Sequence, residues 1–143
     1  MELQQPKKST VSVKSVKLTQ LNFIQKNNLI NMEGIGIDLG FNASYNKLED
    51  NNTIQFNLGI QLKLFQEDDN KNKIDIGIMQ FHLAGIFYFE YNIDKALFRN
   101  LISILYSYLR PIAAQISVMA KLPPLDLPIL NFAEINIDDI EEE

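Results

Sequence analysis

The chain has 143 residues, 46% hydrophobic and 22% charged, with a formal net charge of −5. That length suits one domain, which should bury roughly 68–70% of its unfolded surface, and the composition is globular rather than disordered. The acidic balance and scattered lysines argue against a nucleic-acid partner, which needs clustered Lys and Arg to neutralise phosphates. There are no cysteines, so disulfides and thiolate metal sites are excluded and a reducing compartment is favoured.

Residues 1–10 are polar, carry Lys7 and Lys8, and read as a flexible lead-in. No apolar run follows that would serve as a signal peptide. No stretch approaches the ~20 apolar residues of a membrane span. The expected location is cytoplasmic, and the triplets starting at Asn42 and Asn51 then read as chance rather than as glycosylation sites.

The first half of the chain has the period of strands. Val11 to Phe23 is apolar, but its phase slips twice: Val11 and Val13, then Val16 and Leu18, then Leu21 and Phe23. Such a strand needs cover on both sides or a kink. Ile35, Ile37, Leu39, Phe41, Ala43 and Tyr45 alternate with Gly36, Asp38, Gly40, Asn42 and Ser44, which places one apolar face on a strand. Ile54, Phe56, Leu58, Ile60, Leu62 and Leu64 repeat the pattern after a polar turn, 47–52. The two form an antiparallel hairpin, each strand about eleven residues or roughly 36 Å long. A polar loop, 66–73, leads to Ile74, Ile76 and Ile78; Met79, Phe81 and Leu83 then continue on the opposite parity. That switch predicts either a bulge or burial of both faces.

After Asn92 the period becomes helical. Leu97, Phe98, Leu101, Ile102, Leu105, Tyr108, Leu109 and Ile112 recur at steps of three and four. Asn92 or Asp94 caps the start, and Pro111 should kink or break the helix. The pattern continues through Ile116 and Met119 and ends before Pro123 and Pro124. Residues 122–136 are apolar yet interrupted by prolines, so they should cross a surface in extended form. Residues 137–143 read as a solvated acidic tail. The expected fold is α+β in a single domain, 1–143: a four-stranded antiparallel sheet, a long helix and a proline-rich extended tail.

Catalytic patterns are missing. His82 is the only histidine and reads as structural. Gly34, Gly36 and Gly40 lie within a strand rather than between a strand and a helix, so they make no dinucleotide loop. Asp68, Asn70 and Asn72 mimic the start of a calcium loop, but Lys73 and Met79 occupy its glycine and glutamate positions. No metal, cofactor or catalytic residue is expected.

Residues 103–136 read SILYSYLRPIAAQISVMAKLPPLDLPILNFAEIN. This resembles the end of the bacterial export chaperone family SecB, with Ile104, Leu105, Tyr108 and Arg110, then Pro123, Leu125, Leu127, Asn131 and Phe132, at retained spacing. The segment His82 to Phe87, HLAGIF, is similar to a family strand, and Val11 to Phe23 to its first strand. The resemblance implies a holding chaperone that binds unfolded polypeptide in apolar grooves, assembled as a homotetramer from two dimers. The groove candidates are Tyr106, Tyr108, Leu122, Leu125, Leu127, Leu130 and Phe132, each of which reads equally as closing the core; Arg110 anchors a carboxylate or a chain carbonyl, a structural ion pair being favoured over client contact. Two departures stand out. Ser107 replaces the proline before the tyrosine. The positions matching the acidic SecA-docking surface are Gln20, Ile24 and Gln80, none of them acidic. Three functions therefore compete: a general export chaperone, a SecB-like chaperone dedicated to one partner such as an antitoxin, and an interaction module with the same fold.

Overall fold

The computed structural model describes residues 10–125 and 127–143. Five strands form one sheet in the order β1-β4-β3-β2-β5: β1 (Val11–Gln25), β2 (Gly36–Lys47), β3 (Thr53–Glu67), β4 (Lys73–Phe89) and β5 (Glu141–Glu142). The first four pair antiparallel, while β5 runs parallel to β2. Four strands were expected from the sequence; the fifth is only two residues long and lies in the segment read as a free acidic tail. The β2–β3 and β3–β4 turns fall where the polar loops place them. In the second, the Asp68 carboxylate accepts from the amides of Asn70 and Asn72.

The irregular strands have a single cause. On β1, Lys14 and Thr19 are extra residues, so Val13 and Ser15 oppose Phe87 and Ile86, and Leu18 and Gln20 oppose Leu83 and His82. Each bulge resets the alternation. Val11, Val13, Val16, Leu18, Leu21 and Phe23 therefore all share one sheet face with Phe89, Phe87, Gly85, Leu83, Phe81 and Met79. The parity switch on β4 is likewise a bulge: Leu64 opposes Gly77 and Phe65 opposes Asp75, which leaves Ile76 as the extra residue.

One α-helix, α1 (Phe98–Met119), crosses this face after a 3₁₀ turn, Lys95–Leu97. The Asp94 carboxylate caps the turn by accepting from the Ala96 amide. The helix buries Phe98, Leu101, Ile102, Leu105, Tyr106, Leu109, Ala113 and Ser117, the spacing of a single stripe. Phe98 sets its ring edge-on to Tyr45 and Phe56, at 4.9 and 5.2 Å between centroids. With its leading turn, the helix is long and apolar enough in composition to cross a membrane, against the expectation that no stretch approaches this. Its apolar stripe is instead buried on the sheet.

Of the kink or break expected at Pro111, the break does not occur: the helix runs on through it. Pro111 and Ser107, the residue whose carbonyl loses its partner, are both exposed. Water can solvate that carbonyl, which removes most of the penalty of a missing bond.

The helix ends in a Schellman turn. Leu122 N–H donates to the Ser117 carbonyl at 2.9 Å and Lys121 N–H to that of Val118 at 3.1 Å. Lys121 sits at φ 58°, a left-handed position that favours glycine. Lys121→Gly should therefore raise the unfolding free energy by about 1 kcal/mol, read as a higher urea midpoint at unchanged slope. No gain would mean that the turn is not strained by its side chain.

Candidate functional site

The chain leaving this turn forms a strap along α1, antiparallel to it. Leu122, Leu125 and Leu127 point into the core. Polar helix side chains grip the strap's carbonyls. Arg110 Nη2 donates to Leu127 O at 3.2 Å, Tyr106 Oη to Pro128 O at 2.6 Å, and Arg99 Nε and Nη2 both to Ile135 O at 3.0 and 2.7 Å. An extended, proline-rich segment leaves its carbonyls without strand partners, so fixed donors on a rigid helix substitute for a neighbouring strand. Arg99 was not singled out from the sequence; as the second residue of α1, off the apolar stripe, it gave no signal by period.

Phe132 closes the strap. It lies edge-on to Tyr106 (5.5 Å) and to Phe41 of β2 (6.3 Å). Beyond it, two 3₁₀ turns, Phe132–Glu134 and Ile137–Asp139, lead to β5. The segment 137–143 is thus bound rather than free: Ile140 is buried, and Glu143 N–H donates to Tyr45 O at 2.8 Å. At the other end, residues 1–9 of the expected flexible segment lie outside the described residues, while the Thr10 carbonyl accepts from the Glu90 amide.

The seven groove candidates separate by burial. Tyr106, Leu122, Leu125, Leu127 and Phe132 are buried in the core. Leu130 is half-buried against it. Tyr108 is 49% exposed. The strap is a clamp, and most of its leucines close the domain within one chain. The apolar surface left open lies around it: Ile129 at the strap's outer bend, 87% exposed, and Val118 and Met119 at the helix end. A second open strip was missed as a site. Val13, Leu18 and Leu21 of β1 share the helix-covered face, yet each stays nearly 40% exposed, because the helix lies over other strands. The two phase slips were the available signal: only an apolar row worth restoring needs a bulge to restore it.

Burial raises the pKa of Tyr106, with the charge of nearby Arg110 opposing it; burial and then Glu142 raise that of Tyr45. Both phenols are neutral in the folded protein and ionise later than in the unfolded chain, so their contribution is complete below about pH 10 and is lost as pH rises through the folded values. Tyr106→Phe should cost about 1 kcal/mol, since the ring contact with Phe132 stays and only the bond to Pro128 is lost. The variant should also lose less stability than the parent in urea titrations between pH 9 and about pH 11. Equal losses would mean that the phenol does not hold the strap.

The opposite sheet face is polar. Gln20, Asn22 and Ile24 oppose His82, Gln80 and Ile78, so Gln20, Ile24 and Gln80 form one neutral patch on the sheet. Beside it is a depression floored by Gly40 and Gly59 and lined by Asn42, Gln61, Gln80 and His82. Two carboxylates of the sheet, Asp38 and Asp75, are paired with Lys73 (3.4 Å) and Lys26 (3.3 Å) in exposed ion pairs, which contribute little. Among the described residues no group of three or more His, Asp or Glu side chains is placed to hold a metal ion.

This arrangement, a β2-β3-β4 meander with bulged β1 returning to pair with β4, one long helix and an extended strap clamped to it, is a SecB-like chaperone fold. Among solved structures the chain is similar to the Mycobacterium tuberculosis Rv1957 SecB-like chaperone in complex with a ChAD peptide from the Rv1956 HigA1 antitoxin. The TM-score is 0.67 at 17% identity, over 85% of this chain and 91% of that one. No family model and no curated protein matches the chain.

Proposed function

We propose that this chain is a holding chaperone that keeps non-native polypeptide from aggregating in the cytoplasm, without catalysis. The observation that carries the reading is the uncovered apolar strip on β1, Val13, Leu18 and Leu21, continuing the face that α1 covers elsewhere. Such a strip on a folded domain marks a surface meant for another chain. Copies of the chain meeting at these strips bring their helices together between two sheets, as a dimer of dimers. Ile129, Tyr108 and Leu130 then border the grooves in which client side chains lie. Burial there contributes roughly 25 cal/mol per Å², and several grooves on one assembly multiply the effect.

The test is an aggregation assay. Near-stoichiometric full chain should suppress light scattering by chemically denatured citrate synthase on dilution; no suppression of any unfolded protein would leave an interaction module only. Multi-angle scattering should give a mass near four chains, falling in the Leu18→Lys, Leu21→Lys double variant. A monomer before substitution would remove the assembly from the proposal.

A second reading, a chaperone dedicated to a single partner such as an antitoxin, is favoured by one observation. The patch of Gln20, Ile24 and Gln80 carries none of the acidic residues that the resemblance to the export family implies for docking on SecA. The similar chaperone, moreover, was solved with an antitoxin peptide. Mass spectrometry of polypeptides co-purifying with the chain separates the readings: many clients mean general holding, one dominant client means dedication.

A further inference from the structure

The β2 edge already carries an extended segment. Glu141 and Glu142 pair parallel to Ser44 and Tyr45, Glu143 N–H donates to Tyr45 O at 2.8 Å, and Ser44 Oγ donates to Glu143 Oε1 at 2.6 Å. Strand geometry fixes the rest of this edge. Since Tyr45 turns its carbonyl outward, the two-residue alternation turns the backbone groups of Ala43, Phe41, Leu39 and Ile37 outward too. None of these four meets β5, which stops at Ser44. Between the 3₁₀ turns and the edge lies a cleft of about 370 Å³, lined by Phe41, Asn42, Ala43, Ile135, Asn136, Asp139 and Ile140. Phe41 is 41% exposed there. The cleft therefore presents open strand backbone beside an apolar ring, and the segment that blocks its far end is short and exposed, held by the bonds to Ser44 and Tyr45 and by one buried side chain, Ile140.

We infer that the β2 edge is a strand-addition site for an extended segment of client polypeptide, and that Glu141–Glu143 is its resident competitor. The inference rests on the holding-chaperone reading and adds to it the binding mode and its control. A client strand pairs with Ile37–Ala43, seats a side chain on Phe41, and displaces the three glutamates to continue past Ser44. Main-chain bonds supply sequence-independent affinity, which suits clients sharing only an unfolded backbone. The resident segment, tethered beside the edge, competes at a high effective concentration and so excludes weakly pairing chains.

The experiment measures binding of reduced, carboxymethylated α-lactalbumin, which stays unfolded, to three proteins: the full chain, a chain ending at Ile140, and full chain Glu143→Pro, which lacks the donor to Tyr45 O. Both altered proteins should bind about tenfold more tightly, as expected when a closed state about ten times more populated than the open one is removed. Adding Ala43→Pro, which deletes an outward donor and is tolerated on an edge strand, should abolish that gain at unchanged thermal midpoint. Client should also slow amide exchange at Leu39, Phe41 and Ala43. Equal binding by all three proteins overturns the competitor role while leaving the chaperone reading intact. Tighter binding unaffected by Ala43→Pro, without slowed exchange, overturns strand addition. Absence of binding by every protein overturns both the inference and the reading beneath it.

Discussion

Leu105→Ala should lower the unfolding free energy by about 3–4 kcal/mol, the range for a large buried side chain whose site cannot collapse. Leu105 is fully buried on α1, and its Cδ2 stands 3.0 Å from where a Cβ on Gly85 would be. Gly85 lies in β4, opposite Val16 of β1 and Phe56 of β3. The glycine makes a hollow in the sheet that the Phe87 ring and Leu105 fill together, so truncation leaves a void between the glycine backbone and a fully buried ring, which relax little. For a domain of this size the loss is about a third of the total stability, and the melting temperature should drop by about 8–12 °C. A change below 1 kcal/mol would show that the helix does not seat at Gly85.

Gly77→Ala should cost about 2–3 kcal/mol by the reverse mechanism. A Cβ at Gly77 meets the Ile24 carbonyl and comes within 3.1 Å of Gln25 Cα. Both are backbone atoms of the neighbouring strand and cannot rotate away, so the end of β1 must shift. Gly77 follows the Ile76 bulge, whose carbonyl accepts from the Lys26 amide at 2.7 Å and so holds the point where β1 ends. Amide exchange should accelerate at Phe23–Lys26 and stay unchanged in β2. Gly36→Ala is the comparison. There the Cβ meets only the Phe65 ring, which can swing outward, so the cost should be smaller. Equal costs at the two sites would defeat the argument from backbone collision.

How far the sequence foretold the structure is clearest on β1 and β4. Phase slips in an apolar row had only a few physical meanings, and the bulges at Lys14, Thr19 and Ile76 supply one meaning for each slip. The helix period and the extended strap were equally legible, because prolines spaced through an apolar run leave few conformations. Other features were not. Apolarity marks a residue as wanting cover without saying whether its own chain provides it. Leu122, Leu125, Leu127 and Phe132 therefore read as groove and as core alike, and the structure buries them. Tyr108 and Ile129, of similar character, stay open because they lie on the far sides of helix and strap. That the helix would run through Pro111 rather than stop there depended on the solvent on that side of the helix, which was invisible in the sequence. The pairing of Glu141 and Glu142 spans too few residues for any period to register.

The bulges on β1 have one more consequence. A sheet with an open edge must not become the template on which its own copies polymerise as stacked ribbons. Regular, flat edge strands invite such growth, whereas local extra twist and lysines discourage it. The kinks at Lys14 and Thr19, with Lys17 between them, make the outer border of β1 uneven. It can receive one fitted neighbour but offers no repeating surface for fibre growth.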